Sequence, residues 1–171
     1  MAKNIILVGF MGTGKSVTGQ IVASRLHREF IDMDHVIEER AGKKISEIFA
    51  DEGEARFRAL ERSLVQELSQ RENLVIATGG GVVLNPDNIA DFSRTGTVIC
   101  LHANPDIILK RVSQQQHRPL LEGDDDKARK IRDLLEKREA LYKAIPLQID
   151  TDNHTARDSA EEVIALTSLE K

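Results

Sequence analysis

Residues 9–16 constrain the fold of this chain more than any other stretch, because they read Gly-Phe-Met-Gly-Thr-Gly-Lys-Ser. They match the pattern G-x-x-x-x-G-K-[ST], a loop that surrounds phosphate groups with backbone N–H donors. Such a loop needs a strand before it and a helix after it. The apolar run at residues 5–8 predicts the strand, and apolar residues at helical spacing predict the helix: Val17, Ile21, Val22 and Leu26. The sequence therefore predicts a phosphate site at the carboxyl end of a strand.

The chemistry expected of this loop is nucleotide binding. Lys15 would reach the terminal phosphates, and the Ser16 hydroxyl would ligate Mg²⁺. A glycine-rich turn with a chance Lys-Ser pair is the alternative, and the flanking strand and helix argue against it. The residues expected to contact the nucleotide here are Gly12, Thr13, Gly14, Lys15, Ser16 and Val17.

The alternation of apolar strands with helical segments predicts the fold class. Strands are predicted at residues 3–8, 30–31, 74–77, 97–101 and 147–149, with helical periodicity between them. This alternation is typical of an α/β domain with a parallel sheet. Residues 114–126 lose all periodicity and are predicted to form a loop. Because no repeat or linker divides the 171 residues, we predict a single domain, 1–171.

The charge balance excludes some classes of partner. The chain has 24 Lys and Arg residues against 28 Asp and Glu residues, a net charge of −4. This balance argues against broad binding to nucleic acid or to a membrane surface. No apolar run approaches transmembrane length, and the single Cys100 has no partner for an internal disulfide. We expect a cytoplasmic monomer that binds small molecules.

Polar or glycine residues follow two of the predicted strands. Asp32 and Asp34 would point the same way if the backbone stayed extended, one toward the metal and the other toward an acceptor hydroxyl. The alternative is that one of them caps the following helix. The three glycines at residues 79–81 offer backbone N–H groups for a close ligand approach, or else form a flexible connection.

Three arginines are candidates for binding anionic groups. Arg58 precedes Glu61 by three residues on a long predicted helix, and spacing alone favours a solvated ion pair. Arg138 lies on the apolar stripe of its helix, where it either has a structural partner or binds a carboxylate. Arg118 in the aperiodic loop could close over a transferring phosphoryl group, although a surface arginine is the simpler interpretation.

Six blocks of sequence together resemble a known family. They lie at residues 9–16, 32–34, 53–61, 79–81, 118–121 and 137–142. In this order and spacing the chain resembles the bacterial shikimate kinases across essentially its whole length. The P-loop is shared by many NTPases, whereas the other blocks together are specific to this family.

The resemblance implies an activity and a fold. The activity is ATP-dependent phosphorylation of the 3-hydroxyl of shikimate, in the pathway to chorismate and the aromatic amino acids. The fold is α/β, a three-layer P-loop kinase fold with a five-stranded parallel sheet, helices on both faces and a lid loop. A substrate-binding segment is implied at about residues 33–61, and the lid at about residues 114–124.

The resemblance also implies roles for individual residues. ATP would be the co-substrate, with Arg111 beside the adenine, and Ser16 and Asp32 would hold Mg²⁺. Asp34 would bind the shikimate hydroxyls and assist proton removal, while Lys15 and the lid residue Arg118 would act on the phosphates. The remaining shikimate-binding residues implied are Arg58, Gly79, Gly80, Gly81 and Arg138.

One segment departs from the family pattern. Family members often continue the last strand with an Asp-Thr-Asn-Arg-Arg-x-Pro type segment against the adenine, whereas residues 150–156 read Asp-Thr-Asp-Asn-His-Thr-Ala. Asn153, His154 and Ala156 therefore leave the side-chain contacts to the base unpredicted.

Two other functions are compatible with a P-loop in this context. One is another small-molecule kinase, such as a gluconate kinase, although a sugar acid explains the Arg58 block less well. The other is a nucleotide-binding regulatory module without catalysis. The absence of an Asn-Lys-x-Asp signature argues against a GTPase switch.

Overall fold

A parallel sheet of five strands organises the part of the protein that the structure describes. The computed structural model describes residues 3–114 and 127–169. The strands are β1 (Asn4–Val8), β2 (Glu29–Asp32), β3 (Leu74–Ala77), β4 (Gly96–His102) and β5 (Leu147–Asp150). Their spatial order is β2-β3-β1-β4-β5, and every neighbouring pair is parallel. The strand that precedes the P-loop is therefore the central one.

Helices supply the crossovers that parallel strands require. The helices are α1 (Lys15–Leu26), α2 (Met33–Ala41), α3 (Ile45–Glu52), α4 (Glu54–Leu68), α5 (Pro86–Thr95), α6 (Pro105–Ser113), α7 (Lys127–Lys143) and α8 (Ala156–Ser168). A short 3₁₀ turn, Val82–Leu84, follows the three glycines. Local sequence starts several of these helices: the Asn85 side chain accepts a hydrogen bond from the Asp87 backbone N–H, at 3.0 Å, immediately before Pro86.

The core lies on both faces of the sheet. Alternate residues of β1 point in opposite directions, so Ile5 and Leu7 pack against α1 and α8, while Ile6 and Val8 face the helices of the other side. Both β1 faces are fully buried, which explains why this strand is a continuous apolar run. The predicted three layers, with helices on both faces of a parallel sheet, are confirmed.

Two side chains that the periodicity placed on buried faces are exposed. Val17 is 55% exposed and Leu141 is 39% exposed. Val17 lies in the first turn of α1, beside the phosphate loop, where the helix faces a cleft rather than the core. On α7 the buried face runs through Ile131, Arg138 and Tyr142. Tyr142 therefore occupies the core position that the pattern assigned to Leu141.

The lid predicted at about residues 114–124, including Arg118, lies outside the described residues except for Gln114. Among the residues that the structure describes, no helix has both the length and the apolar composition of a membrane span.

Candidate active site

A cleft of roughly 560 Å³ lies at the carboxyl edge of the sheet. Ligands of open parallel sheets bind at this edge. Most of the residues singled out from the sequence line it. The lining residues are Gly12, Gly14, Lys15, Ser16, Val17, Asp32, Asp34, Thr78, Gly80, Arg111 and Gln114.

The backbone shape of the phosphate loop depends on its three glycines, Gly9, Gly12 and Gly14, which all have positive φ. Gly9 has a φ of +145°, and a Cβ there would lie 2.2 Å from the Leu101 carbonyl oxygen. Gly14 has a φ of +89° and immediately precedes α1. Residues with a Cβ rarely adopt such φ values, so the glycines permit the turn that aims the N-terminus of α1 into the cleft. No acidic residue lies in the first turn of α1, which leaves the site favourable for an anion.

Two side chains of the loop bond back to its own carbonyls. The Lys15 ammonium donates to the Gly9 and Phe10 carbonyl oxygens, at 2.7 and 2.8 Å. The buried Thr13 hydroxyl donates to the Phe10 carbonyl, at 2.8 Å. Thr13 therefore stabilises the loop from beneath, while Lys15 lines the cleft with its positive charge.

Ser16 and Asp32 form a pair of oxygen donors. The Ser16 hydroxyl donates to Asp32 Oδ2 at 2.6 Å, and Asp32 Oδ1 accepts from the His35 backbone N–H at 3.2 Å. The metal-site and helix-cap interpretations of Asp32 are thus compatible, since each uses a different oxygen. In the described part of the chain no three carboxylate, imidazole or thiol groups cluster as a metal site. The donor set fits Mg²⁺, which binds to few protein oxygens and completes its shell with phosphates and water.

Asp34 reaches the cleft by a route other than the one predicted. The backbone is helical from Met33 onward, so Asp32 and Asp34 do not share the extended strand geometry expected of them. Asp34 instead lies in the first turn of α2 and lines the cleft from there. A Cβ on Gly79 would lie 2.8 Å from Asp34 Oδ1, which shows how closely this carboxylate approaches the backbone after β3.

Side chains from three helices approach the backbone of Gly79, Gly80 and Gly81, which are here called the glycine strip. Both terminal guanidinium nitrogens of Arg58 lie 2.4 Å from the place of a Gly81 Cβ. Arg138 Nη1 lies 3.6 Å from the corresponding position at Gly80. A side chain at Gly81 would displace the Arg58 guanidinium, and one at Gly79 would displace the Asp34 carboxylate, whereas at Gly80 a Cβ would only contact Arg138. In this structure the groups beside the three glycines are the side chains of Asp34, Arg58 and Arg138, and the close approach of a ligand stays a prediction.

Arg58 is paired with a buried carboxylate. Its Nη1 donates to Glu61 Oε1 at 2.9 Å, and the Glu61 side chain is only 2% exposed. The expectation of a solvated ion pair was wrong, because Glu61 faces the core together with Leu64 and Val65. Burial raises the pKa of the Glu61 carboxyl above its ordinary value, against the opposing effects of Arg58 and Arg138.

Arg138 is itself buried, at 6% exposure. Its neighbours include Glu61 and the hydroxyl of Tyr142, which lies one helical turn further along α7. A buried guanidinium is costly unless it has anionic or polar partners. The Arg138 guanidinium therefore lies near Glu61 and Tyr142, and these two side chains orient it beside the glycine strip.

Arg111 stabilises the opposite wall of the cleft. Its guanidinium donates to the Gly12 carbonyl at 3.2 Å, to the Thr151 hydroxyl at 3.0 Å and to the Thr151 carbonyl at 2.6 Å. These bonds tie the phosphate loop to the segment after β5. In that segment the Asp152 carboxylate accepts from the Asn104 backbone N–H, at 2.6 Å.

The comparisons with known proteins agree with this geometry. A family model described as shikimate kinase matches residues 11–168. The chain belongs to the shikimate kinase family. The shikimate kinase of Caldanaerobacter subterraneus subsp. tengcongensis is 49% identical over 162 residues, covering 95% of this chain and 94% of that relative. The shikimate kinase of Pelotomaculum thermopropionicum is 45% identical, with the same coverage.

Solved structures give the same result. The shikimate kinase from Acinetobacter baumannii, solved in complex with shikimate, is 38% identical, has a TM-score of 0.93 and matches 100% of this chain and 96% of its own. A gluconokinase from Sinorhizobium meliloti has a TM-score of 0.64 at 14% identity and shares the fold alone. Shikimate kinases transfer a phosphoryl group from ATP to shikimate, and the chain is an enzyme of this class.

Two features beside the glycine strip were missed at the level of sequence, namely the burial of Glu61 and the contribution of Tyr142. Glu61 follows Phe57 by four residues and precedes Leu64 by three, which is the spacing of a buried helical face. Tyr142 follows Arg138 by four residues, which is also the spacing of one helical face. In both cases the spacing indicates a buried position. The charge of Glu61 argued against its burial, and Leu141 was assigned to the core position that Tyr142 occupies.

The raised pKa of Glu61 predicts a pH dependence of stability. Below the ordinary pKa of 4.5, Glu61 is protonated in the folded and unfolded states alike. As the pH rises from there through the raised pKa of the folded state, the unfolded chain loses its proton first and is favoured. We expect wild type to lose stability relative to Glu61→Gln across this interval, as measured by urea unfolding between about pH 4 and pH 7.

Glu54→Gln is the matched control, because Glu54 pairs with the same Arg58 at 3.4 Å but is 61% exposed. A stability difference between wild type and Glu61→Gln that stays constant over this range would contradict the assignment.

Proposed function

We propose that this chain phosphorylates the 3-hydroxyl of shikimate in a two-substrate cleft, with ATP on the phosphate loop and shikimate on the glycine strip. The observation that carries the proposal is the convergence of Asp34, Arg58 and Arg138 on three consecutive glycines beside the cleft. In a ligand with one carboxylate and several hydroxyls, the carboxylate matches the two guanidinium groups and the hydroxyls match the Asp34 carboxylate.

The acceptor half positions and orients shikimate. Arg58 and Arg138 bind its carboxylate, and backbone N–H groups of the glycine strip contact its ring substituents. Asp34 accepts hydrogen bonds from its hydroxyls and assists removal of the proton from the attacking one. Glu61 holds Arg58 in place through their 2.9 Å ion pair. The segment at about residues 33–61 is thus the substrate-binding part of a single domain, 1–171.

The donor half binds ATP. Backbone N–H groups of Gly12, Thr13, Gly14 and Val17 surround its phosphates, and the dipole of α1 adds a favourable potential. The Lys15 ammonium exchanges a loop carbonyl for a phosphate oxygen. Arg111 lies beside the adenine while it bonds to Thr151.

Ser16 and Asp32 would hold Mg²⁺, since their oxygens form the donor set described above. When bound, the ion offsets phosphate charge during transfer, a role typical of kinases. Arg118, assigned from the sequence alone, adds positive charge at the transferring group. A lid at about residues 114–124 would exclude water as a competing acceptor. Because every residue assigned to the two substrates comes from one chain, we propose that the enzyme acts as a monomer. We also propose that it acts in the cytoplasm.

One assay tests the proposed function against its rivals. ATP consumption is measured with shikimate, with gluconate and without an acceptor. We expect turnover only with shikimate. Turnover with gluconate alone would favour a gluconate kinase, and tight nucleotide binding without acceptor-stimulated turnover would favour a regulatory module.

Replacing Arg138 is expected to weaken shikimate binding. Arg138→Ala removes one fork of the carboxylate site, and the dissociation constant measured by calorimetry should rise by about 10- to 100-fold. Arg132→Ala is the control, because Arg132 lies on the same helix but pairs with Asp106 at the surface. Unchanged shikimate affinity in Arg138→Ala would refute the carboxylate assignment.

Replacing Asp32 is expected to change the metal requirement. Asp32→Asn keeps an oxygen for the helix cap but removes the negative charge. The Mg²⁺ concentration that gives half-maximal turnover should rise about tenfold. Asp87→Asn, an exposed change in the first turn of α5, serves as the control. An identical Mg²⁺ titration in Asp32→Asn and wild type would contradict the metal role.

A further inference from the structure

The Tyr142 hydroxyl links the end of α7 to the glycine strip. It donates to the Gly80 carbonyl oxygen at 2.5 Å, across 62 residues of sequence. Tyr142 is only 6% exposed, and its ring meets the Phe10 ring edge-on, with centroids 6.4 Å apart and planes at 85°. Because Phe10 belongs to the phosphate loop, the phenol lies between the donor and acceptor halves of the cleft.

The bond fixes a peptide plane that would otherwise rotate easily. The Gly80 carbonyl belongs to the peptide that joins Gly80 to Gly81, so holding this oxygen also fixes the direction of the Gly81 N–H. Glycine residues have the widest choice of backbone conformation, and a strip of three needs an external constraint to keep one orientation. The Arg58 guanidinium also packs against Gly81.

Arg138 interacts with the hydroxyl of the same Tyr142 side chain. It precedes Tyr142 by four residues on the buried face of α7, and its Nη1 lies against Gly80. Burial raises the pKa of Tyr142 to about 12, while hydrogen bonding and charge from Arg138 act in the opposite direction. The hydroxyl therefore keeps its proton near neutral pH. It donates that proton to Gly80 and offers its lone pairs to the guanidinium.

We propose that Tyr142 is a positioning residue, which uses one hydroxyl to hold the glycine strip and Arg138 in the register that shikimate requires. The proposal rests on the proposed function, since it assumes that shikimate binds at the strip. Tyr142 is buried and does not line the cleft. Its removal should therefore alter the recognition of shikimate and leave the recognition of ATP intact.

The test is Tyr142→Phe, which removes the hydroxyl and keeps the ring that packs against Phe10. The KM for shikimate should rise about tenfold, as expected when a buried carbonyl and a guanidinium lose a shared partner. The KM for ATP should stay within about twofold of wild type, because the phosphate loop keeps its own hydrogen bonds. A shikimate KM within this same range, or an equal rise in both KM values, would overturn the proposal.

Two further variants separate positioning from general loosening. Thr167→Val removes another half-buried hydroxyl that donates to backbone carbonyls, on α8 and away from the cleft, and should change neither KM value. Arg138→Lys already disturbs the contact between Arg138 and Tyr142. Adding Tyr142→Phe to Arg138→Lys should therefore raise the shikimate KM, relative to Arg138→Lys alone, by less than about tenfold. The full tenfold effect in the double variant would show that Tyr142 acts independently of Arg138 and overturn the proposal.

The same experiment distinguishes the two levels of inference. A wild-type chain without shikimate-dependent turnover would overturn the proposed function and this proposal together. Shikimate-dependent turnover in wild type, with an unaltered shikimate KM in Tyr142→Phe, would overturn this proposal alone.

Discussion

The side of the cleft that we propose for shikimate depends on the absence of side chains at residues 79–81. Asp34 from α2, Arg58 from α4 and Arg138 from α7 all approach this backbone, two of them closer than any Cβ would allow. Groups on three separate helices can converge on one site only where the intervening backbone occupies little space. The strip lies directly after β3, next to the central strand, so the same sheet edge also presents the phosphate loop.

Convergence of this kind places charged groups where water is scarce. Glu61 is buried beside Arg58, and the buried Arg138 lies near both Glu61 and Tyr142. Such a network stabilises a fold less than apolar packing of the same volume would. Its benefit is geometric, because partners that are held by several hydrogen bonds keep their positions before a ligand arrives. The carboxylate of the proposed substrate would then meet guanidinium groups that are already oriented.

The side of the cleft that we propose for ATP depends on local sequence to a greater degree. The glycines that shape the phosphate loop, the helix that follows it and the lysine that it carries all lie within one contiguous segment, 9–26. Even here the fold contributes essential contacts. Gly9 lies against the Leu101 carbonyl, and Arg111 connects Gly12 to Thr151. The loop therefore has its shape because β4, α6 and the segment after β5 surround it.

The sequence by itself determined the phosphate loop, the five strands and the parallel α/β architecture, because these features depend on residues close together in the chain. With the family resemblance it also predicted substrate-binding roles for Asp34, Arg58 and Arg138. Only the tertiary structure decided the burial of Glu61, the bond from Ser16 to Asp32 and the link from Tyr142 to Gly80. Each of these depends on which helix faces lie against the sheet edge. The periodicity of one helix cannot supply that information, because its contacts join residues far apart in sequence.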